Sequence, residues 1–144
     1  MNAHEVEYIV VGAVGLVFNG LVRGTDDADL FIRPTRENMF RLHAALRDVW
    51  DDERIPQVDF FGERDELYAV TYVSPDGGLS VDFLPRLGEA FAYDDLVAHW
   101  VDFEDMRVHV ATPRTLQRMK ARTPRMQDHA DAEKLRQHFG LEEV

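Results

Sequence analysis

Residues 23–32 read "RGTDDADLFI", and the fold turns on how acids and apolar residues share this one strand. Leu30, Phe31 and Ile32 suit a buried strand, yet Asp26, Asp27 and Asp29 stand at its start. Side chains at i and i+2 of a strand point to the same face. Asp27 and Asp29 therefore project together, while Ala28, Leu30 and Ile32 face the other way. Two carboxylates held so close repel each other. Arg23, nearby in sequence, is one source of relief. A divalent cation is a better one, because hard carboxylate oxygens suit Mg2+ or Mn2+, with phosphate oxygens completing the shell. An Asp-x-Asp pair by itself is more often a solvated turn than a site.

A third acid has the same character. Asp82 lies in "LSVDFL", an apolar run of strand composition. An aspartate there costs stability unless it is paired or ligating. If its strand lies beside that of Asp27 and Asp29, the three acids converge. Carboxylates on adjacent strands cradle two metal ions in phosphoryl and nucleotidyl transfer.

Outward from this core the chain alternates. "EYIVVG", residues 7–12, reads as a buried strand ending in glycine, and "GAVGLVFNG", residues 12–20, as a short helix that Gly20 stops. The acidic strand spans residues 27–34. Thr35 caps a helix with Met39, Leu42, Leu46 and Val49 on one face. Residues 66–73 and 78–84 flank "SPDGG" and read as a hairpin. "DDLVAHW", residues 94–100, reads as a short helix and residues 107–111 as a strand. Thr112 and Pro113 open one closing helix; Thr123 and Pro124 open another that ends at Gly140. "DDERIP" and "FEDMRV" read as solvated acidic loops. The order predicts a single α+β domain over residues 1–144, a mixed sheet with helices mainly on one side.

At 144 residues and 45% hydrophobic, the chain suits one domain with a real core. It has no cysteine, which excludes disulfides and thiolate chemistry. It has no run of roughly 18 apolar residues to span a membrane, and its start lacks a basic secretory region. A cytoplasmic protein is the expectation. The net charge of −11 argues against broad nucleic-acid binding. The charge is uneven, however: residues 107–141 hold eight Lys/Arg against three acids. This basic segment either balances an acidic body or forms a positive wall for a polyanionic ligand.

Taken together, "VVGAVGLVFNGLVRGTDDADLFI" and "VDFL" resemble the nucleotidyltransferase superfamily that includes DNA polymerase β. The likeness is greatest to its small bacterial members, the minimal nucleotidyltransferases and the abortive-infection toxin type. The superfamily pattern is a strand, Gly-Gly or Gly-Ser opening a helix, then Arg-x-Thr-x-Asp-x-Asp, and a third acid in a later strand. The matching positions are Gly12 and Ala13, Arg23 to Asp29, and Asp82; Lys120, Arg125 and Asp128 match a Lys…Arg…Asp set on the closing helices. The resemblance spans residues 7–136. It implies a nucleotidyltransferase fold whose C-terminal helices close the cleft, and a Mg2+- or Mn2+-dependent enzyme. Such an enzyme transfers NMP from an NTP to an acceptor hydroxyl on a small molecule, a protein or an RNA end, tRNA among them. Asp27, Asp29 and Asp82 would then be catalytic and hold the metals. Gly12, Ala13, Arg23, Thr25, Lys120 and Asp128 would bind the nucleotide, with Asp128 orienting Lys120. A toxin–antitoxin role with a partner protein is implied by analogy alone. Ala13 departs from the pattern, since alanine has no hydroxyl for a phosphate oxygen. That favours the alternative of a catalytically weak nucleotide- or partner-binding module.

Other readings are set aside. "GAVG" has G-x-x-G spacing, without the glycines of a dinucleotide turn or the lysine of a P-loop. The six histidines lack zinc-site spacing, and Ser74 and Ser80 lie in no nucleophile elbow.

Overall fold

The β-branched run near the start of the chain forms β1 (Tyr8–Val11), buried along its whole length. Gly12 ends it with a left-handed φ of 65° and begins the short helix α1 (Gly12–Phe18). The computed structural model describes residues 2–20, 27–64, 66–87, 91–121 and 126–141. The acidic strand is β2 (Asp27–Ile32), antiparallel to β1. Helix α2 follows (Arg36–Arg47), its start fixed by Thr35, whose side chain accepts from the Asn38 N–H. Asn38 ties this helix to the sheet. Its amide donates to the carbonyls of Glu7 and Arg33 and accepts from the Glu7 N–H, which accounts for its burial. Met39, Leu42 and Leu46 form the buried face, as their spacing predicts. Val49 lies past the last turn and is exposed.

The hairpin about "SPDGG" is β3 (Val70–Val73) and β4 (Ser80–Leu84). Asp76 holds the turn, accepting from the Ser74 hydroxyl and the Gly78 N–H. A two-stranded ribbon, β5 (Arg86–Leu87) and β6 (Phe91–Ala92), leads to a single 3-10 turn at Tyr93–Asp95. Where "DDLVAHW" suggests a helix, the chain instead enters β7 (Ala98–Phe103), antiparallel to β8 (Met106–Ala111). Strand pairing from Ala98 to Phe103 satisfies a backbone that a two-turn helix would leave half-bonded. Trp100, Val101 and Phe103 also favour the extended form. Helices α3 (Pro113–Ala121) and α4 (Met126–Phe139) close the chain. Thr112 caps α3, accepting from the Thr115 N–H, and Gly140 ends α4 with φ 64°. The Thr123-Pro124 start proposed for α4 lies outside the described residues.

The strand order is β3-β4-β2-β1-β8-β7, a mixed sheet in which β2 runs parallel to β4 and β1 parallel to β8. Strand residues alternate between two cores. Tyr8, Val10, Ile32, Val81 and Phe83 join Met39 and Leu42 of α2. Ile9, Val11, Phe31 and Ala111 join Leu116 and Met119 of α3 and Leu135 of α4. The α+β class and mixed sheet expected from the sequence are the observed ones. Helix α2 covers one face, and α3, touching both α1 and α4, leads the other. No helix among the described residues is long and apolar enough to cross a membrane.

The loop after α2 is less solvated than its acids suggest. Asp52 accepts from the Tyr72 hydroxyl at 2.8 Å and from the Arg54 guanidinium, and the same guanidinium donates to the Val73 carbonyl at 3.0 Å. Arg54 holds the Asp52 carboxyl well below the usual range. Burial, followed by the bond to Asp52, pushes the Tyr72 phenol up to about 12.

Leu42→Ala should cost about 2–5 kcal/mol in urea unfolding, because Leu42 is wholly buried. Phe40→Ala, one position of the same helix with its ring 61% exposed, should change stability by no more than about 0.5 kcal/mol. The folded-state pKa of Asp52 is depressed, so its contribution is present above its unfolded value near about 4 and lost as pH falls toward the folded value. Asp52→Asn should therefore lower stability at neutral pH and flatten the acid limb of a stability–pH curve.

Candidate active site

Phe31, fully buried in the α3/α4 core, seats β2 on the sheet. Asp29 has the same parity and extends from the same face. On the other parity, Leu30 pairs with Phe83 and Ala28 with Val81, and these side the strand with the α2 core. This apolar alternation sets the register, and the register sets the acids: Asp29 lies directly opposite Asp82 of β4. Adjacent strands are about 4.8 Å apart, so the two carboxylates start from neighbouring points on one face. Asp27 heads the same strand, its backbone opposite Ser80; its side chain lies outside the described residues.

The row continues in both directions. Toward β1, Asp29 pairs with Val11, and the next residue is Gly12. A Cβ on Gly12 would lie 2.3 Å from Asp29 Oδ2, so the carboxylate rests where only a bare backbone leaves room. Gly12 is thus required twice, by its left-handed φ and by this close approach. Toward β3, Asp82 lies opposite Thr71, whose hydroxyl donates to Asp82 Oδ1. Thr71, Asp82, Asp29 and Val11 form one line across four strands.

The remaining expected residues fall around this line. Ala13 follows in the first turn of α1, so its backbone sits at the end of β1. Arg23 and Thr25 lie outside the described residues. Lys120 is in the last turn of α3 and is buried. Asp128 is in α4, which packs on α3; its side chain is outside the described residues, as is Arg125. Thr71 was missed by the sequence reading. Its partner depends on the register of the folded hairpin, in which Val73 pairs with Ser80 and Thr71 with Asp82.

Asp29 and Asp82 offer hard carboxylate oxygens on neighbouring strands, with Asp82 Oδ2 not engaged by Thr71. Two protein carboxylates completed by phosphate and water oxygens are a fitting donor set for Mg2+. Among the described residues no group of three or more His, Asp or Glu side chains is arranged to hold a metal.

The architecture has a known counterpart. The crystal structure of an antigenic nucleotidyltransferase-like protein from Paracoccidioides brasiliensis matches with a TM-score of 0.53 over 93% of this chain and 67% of that one, at 14% sequence identity. The fold is nucleotidyltransferase-like. No family model matches the chain, and no curated protein matches it.

The Gly12 contact can be measured. Gly20 also has a positive φ, but an added Cβ there meets nothing among the described residues. Gly20→Ala should cost about 1–2 kcal/mol from backbone strain alone. Gly12→Ala should cost that and roughly 1 kcal/mol more, because Asp29 must move. Equal losses in chemical denaturation would show that Asp29 does not press on Gly12.

Proposed function

We propose that this chain is a divalent-metal-dependent nucleotidyltransferase. The observation that carries the reading is the register of β2 on β4, which sets Asp29 beside Asp82 with Asp27 heading the same strand. Carboxylates on neighbouring strands repel each other, and a cation between them would relieve that repulsion. Mg2+ or Mn2+ bound there would neutralise phosphate charge and activate the attacking hydroxyl.

The chain's own residues then have separate tasks. Asp27, Asp29 and Asp82 hold the cations, and Asp82 accepts the proton of the acceptor hydroxyl. Its oxygen attacks the α-phosphorus of an NTP; that O–P bond forms as the bridging P–O bond breaks, and pyrophosphate leaves. Backbone N–H groups at Gly12 and Ala13, with Arg23 and Thr25, receive phosphate oxygens. Lys120, oriented by Asp128, contacts the triphosphate from the closing helices. The acceptor is a hydroxyl on a small molecule, a protein or an RNA end. The basic segment 107–141 favours tRNA, with limited contact given the net charge. The analogy with toxin-type relatives suggests a toxin–antitoxin pair and a partner protein.

A second reading follows from Ala13. Without a hydroxyl at this position the chain would bind a nucleotide or a partner protein and transfer slowly or not at all.

Melting curves separate these from failure. Mn2+ with each of ATP, GTP, CTP and UTP should raise the melting temperature for at least one nucleotide, since ligand at a hundredfold excess over Kd stabilises by about 2.7 kcal/mol. No shift with any of them would sink the transferase reading and leave only a partner-binding module. A shift without transfer of labelled nucleotide to any component of a cell extract would favour the binding module. Asp29→Asn combined with Asp82→Asn should abolish the Mn2+-dependent shift and leave the metal-free protein folded.

A further inference from the structure

The carboxylate of Asp82 is gripped by a neighbouring strand. Thr71 lies opposite it in the β3–β4 hairpin, on the same face, and donates its hydroxyl to Oδ1. Strand β3 lies on one side of β4 and β2 on the other. A carboxylate held through one oxygen from the β3 side keeps its second oxygen for the β2 side, where Asp29 lies.

The backbone alone does not orient this group. Val81 and Phe83 are buried and pin β4 on either side of Asp82, and buried Tyr72 pins β3 beside Thr71. The terminal torsion of aspartate is nevertheless broad, so a pinned Cα leaves the carboxylate plane free. A hydroxyl bonded to an ionised oxygen fixes that plane. Asp29 is confined differently, by the bare backbone of Gly12. Without such fixing, two like charges on neighbouring strands would rotate apart.

A role in strand stability explains Thr71 poorly. Thr71 is exposed, so water competes for its hydroxyl bond. Two residues on, at the same parity and also exposed, the strand carries Val73. The shape of threonine therefore has an apolar substitute in this very strand, and the hydroxyl is what sets position 71 apart.

We infer that Thr71 is a positioning residue for the cation site, holding Asp82 through Oδ1 so that its second oxygen and Asp29 address one ion. This rests on the metal-dependent reading above. Outer-shell bonds of this kind change metal affinity by about 10–100-fold.

The test is Mn2+ titrated into the full chain, alone and with α,β-methylene-ATP, read by paramagnetic resonance of free Mn2+ and by melting temperature. Thr71→Val and Thr71→Ala should each weaken Mn2+ binding by about tenfold or more, Thr71→Ser should restore it, and the metal-free melting temperatures of Thr71→Val and Thr71→Ser should stay near that of the parent. If Thr71→Val binds Mn2+ like the parent while Asp29→Asn does not bind, Thr71 is no positioning residue and the metal-dependent reading stands. Weakened binding that Thr71→Ser fails to restore likewise overturns the role of the hydroxyl. If the parent chain takes up no Mn2+ in either arm, the metal-dependent reading falls, and the inference with it.

Discussion

The parallel pairing of β2 on β4 is the constraint from which the rest follows. Its register is held by apolar partners, Ala28 with Val81, Leu30 with Phe83 and Phe31 with Leu84, that fill cores on both faces. A slip by one residue would turn every one of these side chains to the wrong core. The acids have no such freedom to choose. Asp29 and Asp82 are neighbours because hydrophobic burial, worth about 1.5–3 kcal/mol per large side chain, makes them so. Their repulsion is a smaller term carried by a larger one.

Around that line the structure removes freedom in steps. Asn38 locks α2 against Glu7 and the end of β2, so the α2 core cannot slide beneath the strands. Arg54 occupies the carbonyl of Val73 at the outer edge of β3, and Asp52 holds both Arg54 and Tyr72. These bonds anchor the hairpin whose far strand carries Asp82. The α3/α4 core presses on the opposite face through Leu116 and Leu135. Each device is polar or apolar by local need, and together they leave the site face rigid.

Much of this was legible in the sequence, for a physical reason. Strand alternation is local, so the separation of Asp29 from Ala28, Leu30 and Ile32 could be read from residues 27–32 alone. Thr35, Thr112 and Gly140 act within one turn of themselves and were equally readable. What was hidden depends on distant partners. Asp52 reads as a solvated loop acid until Tyr72, far along the chain, closes over it. The burial of Lys120, in the last turn of α3, is likewise visible only in the folded chain. Residues 98–100 lack a strong pattern, and only pairing with β8 decides for strand. The pairing of Thr71 with Asp82 belongs with these, since only the folded hairpin sets its register.

The same register has a consequence for how the line of acids is assembled. Asp29 and Asp82 are roughly fifty residues apart, and contacts of such long range form late and slowly in folding. Before β4 docks on β2, Asp29 lacks the facing carboxylate of Asp82. Strands β1 and β2 with α2 are joined by contacts of shorter range. The pairing of the two acids is therefore completed by the step that closes the middle of the sheet.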